Sequence, residues 1–114
     1  MVIGILGYGV VGRGVYKIAS KNNIKVKRIL ERNISDPILQ TNSIEDIVDD
    51  PEIDTVVECL GGDDVPFKYC AKALRSGKNV VTSNKKMLVK YLKEINDLAL
   101  ENNVSLLYSS ACGG

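Results

Sequence analysis

The opening of the chain, residues 2–12, constrains the fold more than any other stretch. The apolar run Val2–Leu6 is typical of a strand buried on both faces, and glycines follow at positions 7, 9 and 12. Gly7 allows a tight turn, Gly9 leaves the backbone accessible, and Gly12 lets a helix pack closely on the strand. The spacing therefore predicts a strand, a turn and a helix whose first N–H groups can hold a diphosphate.

Strand-like and helix-like patterns alternate along the rest of the chain. We predict further strands over 25–30, 38–41, 55–60, 79–82 and 105–108. We predict helices from the glycine turn to about 21, a brief one with an N-cap at Ser43, and longer ones over 66–76 and from about 87 to 102. Short connections between alternating elements indicate an α/β fold. It is a Rossmann-type, doubly wound, mostly parallel sheet of about six strands with helices on both faces, in one domain over 1–114.

Composition narrows the class of partner and the chemistry. Lys and Arg number 15 and Asp and Glu 14, a net charge of +1, so no global field attracts nucleic acid or a membrane surface. No signal peptide or membrane span is evident, and we expect a cytoplasmic protein. Histidine is absent, and Cys59, Cys70 and Cys112 lack metal-ligand spacing, so we expect no metal site. Lysine and carboxylates remain as candidates for proton transfer.

The end of the second predicted strand offers two readings of the cofactor. Arg32 lies 20 positions after Gly12, where an arginine accommodates the 2′-phosphate of NADP, and the adjacent Glu31 would instead bind the ribose hydroxyls of NAD. Because consecutive strand residues face opposite ways, we expect only one of them to face the ribose, and we favour Arg32. Asn33 carries no charge that would repel a phosphate.

A second polar segment follows the fifth predicted strand. Thr82, Ser83, Asn84 and Lys85 place hydroxyls, an amide and an ammonium where a nicotinamide ring and a substrate carbonyl would meet. On the run 77–85, which contains this segment, together with the opening 5–12, the run 58–62 and the end 108–114, the chain resembles the N-terminal nucleotide-binding domain of homoserine dehydrogenase.

The resemblance implies NAD- or NADP-dependent hydride transfer between aspartate semialdehyde and homoserine, on the route to threonine and methionine. It makes Lys85 one of two catalytic lysines, with the other lysine and the substrate-binding acids in a following domain, and it weakly suggests a homodimer. Cys112, in the terminal segment that passes close to the cofactor in relatives, is interpreted as a packing residue. The predicted cofactor-binding residues are Gly7, Tyr8, Gly9, Val10, Val11, Gly12, Arg32, Leu60, Gly61, Gly62, Thr82, Ser83 and Lys85.

Two alternatives share the opening motif. Aspartate dehydrogenase or another amino-acid dehydrogenase should lack the Thr82–Lys85 segment, and a regulatory NAD-sensing module should carry an acid in place of Arg32. Because the sequence stops at Gly113 and Gly114 directly after a strand, we interpret it as one domain of a longer enzyme, lacking the substrate domain. Such a fragment is expected to bind cofactor without turnover.

Overall fold

The computed structural model describes residues 1–32, 34 and 36–108, and these residues form a single parallel sheet flanked by helices. The strands are β1 (Val2–Leu6), β2 (Lys25–Leu30), β3 (Gln40–Thr41), β4 (Thr55–Glu58), β5 (Asn79–Thr82) and β6 (Leu106–Tyr108). The helices are α1 (Val10–Lys21), α2 (Glu45–Val48), α3 (Asp64–Arg75) and α4 (Lys85–Glu101). The strand order β3-β2-β1-β4-β5-β6 confirms the predicted doubly wound fold, with its change of direction between β1 and β4.

The helices divide between the two faces of the sheet. On one face, α2, α3 and α4 cover Val56 and Val80 in the larger buried cluster. On the other face, α1 packs through Ala19 against the smaller cluster that contains Ile5 and Ile29. Within the described part of the chain, no helix is both long enough and apolar enough to cross a membrane.

The contact between α1 and β1 depends on two glycines. Gly7 has a φ of +93°, a conformation that only glycine adopts readily. A Cβ on Gly12 would lie 2.3 Å from the carbonyl oxygen of Gly7, so a larger residue cannot occupy this position without moving backbone. The two glycines therefore bring the first turn of α1 directly onto the end of β1.

Several element boundaries differ from the prediction because side chains near the ends form local hydrogen bonds. The predicted strand 38–41 is reduced to Gln40–Thr41, since the Asp36 carboxylate accepts from the N–H groups of Ile38 and Leu39 at 2.9 and 3.3 Å and holds a turn there. Ser43 does not cap α2 through its side chain, and the helix begins at Glu45. Farther along the chain, β4 ends at Glu58 and β6 begins at Leu106.

Both α3 and α4 begin two residues before the predicted positions of 66 and 87. Asp63 caps α3 by accepting from the N–H of Asp64 at 2.6 Å, and Asn84 caps α4 by accepting from the N–H of Met87 at 3.0 Å. Apolar periodicity locates the buried face of a helix, whereas the capping side chain determines where the helix starts.

Gly12→Ala tests the close contact between α1 and β1. We expect it to lower the free energy of unfolding by about 3 kcal/mol, because the added methyl meets backbone that cannot rotate away. Gly14→Ala is the matched control, since a Cβ at Gly14 meets nothing within 4 Å. It should raise the free energy of unfolding by about 0.5–1 kcal/mol through helix propensity. Urea denaturation measures both, and equal stability of the two variants would contradict the packing argument.

Candidate functional site

The glycine turn and the start of α1 lie at the carboxyl edge of the sheet, the edge at which doubly wound folds bind ligands. No side chain caps α1, and no acidic residue lies in its first turn. The first N–H groups of a helix have no partner within it, so they remain available to an anion. Gly9 is exposed, and a Cβ there would meet nothing within 4 Å, so the space above the turn is open.

A cavity of about 660 Å³ lies on the β2 side of the glycine turn and is called here the β2-side cavity. Its polar lining comes from Glu31, Arg32, Thr41 and Asn42, and Leu60 lies on its β4 side. The Glu31 carboxylate accepts from the N–H of Tyr8 at 3.2 Å and from the N–H of Arg32 at 2.9 Å, which fastens the end of β2 to the glycine turn.

Glu31 and Arg32 both line the β2-side cavity, contrary to the expectation that only one of them would face it. The expectation relied on strand alternation, but β2 ends at Leu30 and both residues lie beyond the strand. Glu31 is half-buried and held by backbone N–H groups, whereas the Arg32 side chain is exposed. Asn33 lies outside the described residues.

A second cavity of about 330 Å³, called here the β5-side cavity, lies across the glycine turn. It is lined by Val11 from α1, Cys59 after β4, Thr82 and Ser83 at the end of β5, and Tyr108 from β6. Val11 therefore lines this cavity from the first turn of α1, while Val10 is 90% exposed. Both cavities include residues at the carboxyl ends of strands, so they lie at the same edge of the sheet as the glycine turn.

A buried carboxylate lies beneath the end of β4. Glu58 is 2% exposed, and its oxygens accept from the Thr82 hydroxyl at 2.6 Å, the N–H of Leu60 at 2.6 Å and the Asn84 amide at 3.5 Å. Burial raises the pKa of the Glu58 carboxyl above its ordinary value, and the three hydrogen bonds act in the opposite direction. The carboxylate thus connects the ends of two neighbouring strands.

The structure changes the interpretation of the segment 82–85. The Thr82 hydroxyl is buried and donates to Glu58, and the Asn84 amide group donates to the carbonyl oxygens of Leu60 and Gly62 at 3.3 and 2.9 Å. These two side chains therefore support the site from within, and do not offer free donors to a ligand. Ser83 and Lys85 are exposed at the same edge, and Lys85 is the first residue of α4.

Sequence reasoning missed the supporting roles of Glu58 and Asn84. The sequence does show a charged residue, Glu58, at the end of an otherwise apolar strand. The structure adds that Glu58 is in register with Thr82 of β5. Gly61 and Gly62 are exposed in the turn that Asn84 holds, and Gly62 has a φ of +88°.

Cys59 borders the β5-side cavity without the properties of a reactive thiol. Burial, followed by the nearby charge of Glu58, raises the pKa of Cys59 to about 11, so the thiol remains protonated at neutral pH. Burial likewise raises the pKa of Cys70, on the buried face of α3. Cys112 lies outside the described residues.

The sequence matches a family model described as the NAD-binding domain of homoserine dehydrogenase over residues 7–109. Homoserine dehydrogenase from Bacillus subtilis is 33% identical over 98% of this chain and 30% of its own length. The enzyme from Lactococcus lactis is also 33% identical, over 98% of this chain and 31% of its own length. The chain therefore spans about a third of the length of these relatives.

Solved structures give the same result. A homoserine dehydrogenase from Thiobacillus denitrificans aligns with a TM-score of 0.87 and 33% identity over 97% of this chain and 30% of that structure. A hyperthermophilic archaeal homoserine dehydrogenase, solved in complex with NADPH, aligns with a TM-score of 0.80 and 25% identity over 96% of this chain and 44% of that structure.

Proposed function

Since this chain belongs to the homoserine dehydrogenase family, as its NAD-binding domain, we propose that it binds a nicotinamide dinucleotide across the carboxyl edge of the sheet. The diphosphate lies on the glycine turn, the adenosine half in the β2-side cavity and the nicotinamide half beside the β5-side cavity. The observation that carries the proposal is the uncapped start of α1 beneath the open backbone of Gly9.

The residues present fit such a cofactor. The three other features of the edge are a polar cavity with Arg32 and Glu31, a turn of small residues at Gly61 and Gly62, and a largely apolar cavity beyond it. A ribose with its phosphates requires polar partners, and a nicotinamide ring requires an apolar wall with few polar groups. When bound, the cofactor supplies or accepts the hydride, and the chain orients it.

We propose that Arg32 selects NADP through its 2′-phosphate. Its exposed side chain lines the β2-side cavity, where the guanidinium can make a charge-assisted contact, and the relative solved with NADPH supports this choice. Glu31 is the residue that would instead favour NAD, because its carboxylate can accept from ribose hydroxyls. A role for Arg32 predicts tighter binding of NADP, and a role for Glu31 predicts tighter binding of NAD.

In the whole enzyme, we propose hydride transfer between aspartate semialdehyde and homoserine, with Lys85 beside the nicotinamide. Lys85 is exposed, and among the described residues its ammonium makes no ion pair or hydrogen bond. A lysine in the first turn of a helix is disfavoured by the helix dipole, which supports a role with an anionic or carbonyl partner. We further infer a cytoplasmic location, and homodimer contacts that lie mostly outside this segment.

Gly9→Ala tests where the dinucleotide lies. The added methyl would stand between the turn and the diphosphate, so we expect affinity for NAD and NADP to fall at least about tenfold, with the free energy of unfolding changed by less than about 1 kcal/mol. Calorimetric titration measures the affinity, and Gly14→Ala, on the same helix away from the turn, should bind like the unaltered chain. Undiminished binding by Gly9→Ala would contradict the assigned position.

Arg32→Ala tests the choice of cofactor. Loss of a guanidinium–phosphate contact should weaken NADP binding by about tenfold or more and leave NAD binding within about twofold. Arg75→Ala, at the last residue of α3, is the matched control and should change neither affinity. Equal losses for both cofactors would mean that Arg32 does not contact the 2′-phosphate.

The 114-residue chain alone should bind cofactor without oxidising homoserine, because it spans only about 30% of the length of its relatives. The absorbance of the reduced nicotinamide reports turnover directly. Measurable oxidation above the rate of a cofactor-only blank would show that the residues needed for the reaction are all in this segment.

A further inference from the structure

Three hydrogen bonds connect the backbone of the turn Leu60–Gly62 to two side chains. Glu58 accepts from the N–H of Leu60 at 2.6 Å, and the Asn84 amide donates to the carbonyl oxygens of Leu60 at 3.3 Å and Gly62 at 2.9 Å. The turn has no regular secondary structure of its own, so these bonds supply the backbone partners that a strand or helix would otherwise provide.

The same two side chains are connected to the start of α4. The Asn84 carboxamide oxygen accepts from the N–H of Met87 at 3.0 Å, and the Thr82 hydroxyl accepts from the N–H of Asn84 at 3.1 Å while donating to Glu58 at 2.6 Å. One network therefore relates the turn after β4 to the helix that begins with Lys85. We call this network the Glu58–Asn84 tie.

Packing of the core alone does not require the Glu58–Asn84 tie. Glu58 is 2% exposed, and an apolar side chain of similar volume at such a position is often neutral or stabilising for a protein. In the described residues, no buried side-chain nitrogen or oxygen lacks a hydrogen-bond partner. The partners of Glu58 are Thr82 at the end of β5, Leu60 in the turn and Asn84 before α4, so the carboxylate fixes the relative positions of these segments and does more than fill space.

We propose that Asn84 and Glu58 are positioning residues that hold the Leu60–Gly62 turn and the start of α4 in their binding geometry before a dinucleotide arrives. The inference rests on the proposed binding of a nicotinamide dinucleotide at this edge. A cofactor that meets a preformed turn does not lose affinity to the entropy of ordering it. The tie therefore increases the affinity for the cofactor by ordering the turn when the chain folds, and not by contacting the cofactor.

Asn84→Ser separates the tie from the helix cap. Serine caps a helix about as well as asparagine, so α4 stays capped, but its side chain is too short to donate to the Leu60 and Gly62 carbonyl oxygens. We expect affinity for the preferred dinucleotide to fall about tenfold, while the free energy of unfolding changes little. Amide exchange of Leu60 in the cofactor-free chain should accelerate at least about tenfold, with the Ile5 amide in the sheet centre unchanged.

Two substitutions of Glu58 provide an independent arm. Glu58→Met fills the space without accepting hydrogen bonds and should reproduce both the loss of affinity and the faster exchange of Leu60. Glu58→Gln keeps an acceptor for Leu60 and should bind within about threefold of the unaltered chain. Thr55→Val, at the amino end of β4, removes a buried hydroxyl away from the site and should not affect binding.

The outcomes distinguish this inference from the proposed function. Failure of the unaltered chain to bind NAD or NADP overturns the proposed function and this inference with it. Binding by the unaltered chain, with equal affinity in Asn84→Ser or Glu58→Met, overturns the inference alone. A loss in Glu58→Gln as large as in Glu58→Met also overturns it, because the charge rather than the hydrogen bonds would then matter.

Discussion

The site depends on how closely the first helix approaches the first strand. Gly12 lies against the carbonyl oxygen of Gly7, at a separation that a Cβ would reduce to 2.3 Å, and this contact aims the start of α1 along the carboxyl edge of the sheet. β2 and β4 flank β1, so Glu31 and Leu60 follow on either side of the glycine turn. One backbone contact therefore places the anion-binding helix end midway between two cavities.

All four helices start at this edge, and their first turns differ. Asp63 caps α3 and Asn84 caps α4, so one N–H group in the first turn of each of those helices already has a side-chain partner. α1 and α2 have no side-chain cap, but the first turn of the four-residue α2 carries Glu45 and Asp46, whereas the first turn of α1 carries no acidic residue. An anion at the edge is therefore favoured at α1, the uncapped helix whose first turn carries no negative charge.

Most of the fold was predictable from local sequence patterns, because apolar runs and helical periodicity specify buried strands and helix faces. The errors have local causes. Asp36 forms a turn where the apolar pair Ile38 and Leu39 indicated a strand, and the side chains of Asp63 and Asn84 lengthen two helices. The alternation argument for Glu31 and Arg32 failed because it was applied two residues beyond the end of β2.

The Glu58–Asn84 tie was harder to predict for a different reason. Glu58 lies 24 and 26 positions before Thr82 and Asn84 in the sequence, and these residues meet only because β4 and β5 pair in a register that sets Glu58 opposite Thr82. A single buried carboxylate in an apolar run looks like a cost, since burial raises its pKa and opposes its ionised form. An apolar side chain at this position would avoid that loss of stability. The carboxylate is therefore favoured only if the geometry it fixes increases cofactor affinity by more. The carboxylate joins the segments after β4 and β5, whose residues Cys59 and Ser83 line the β5-side cavity, and the second of these segments is followed by Lys85. Fixed geometry here therefore acts where the nicotinamide is proposed to bind.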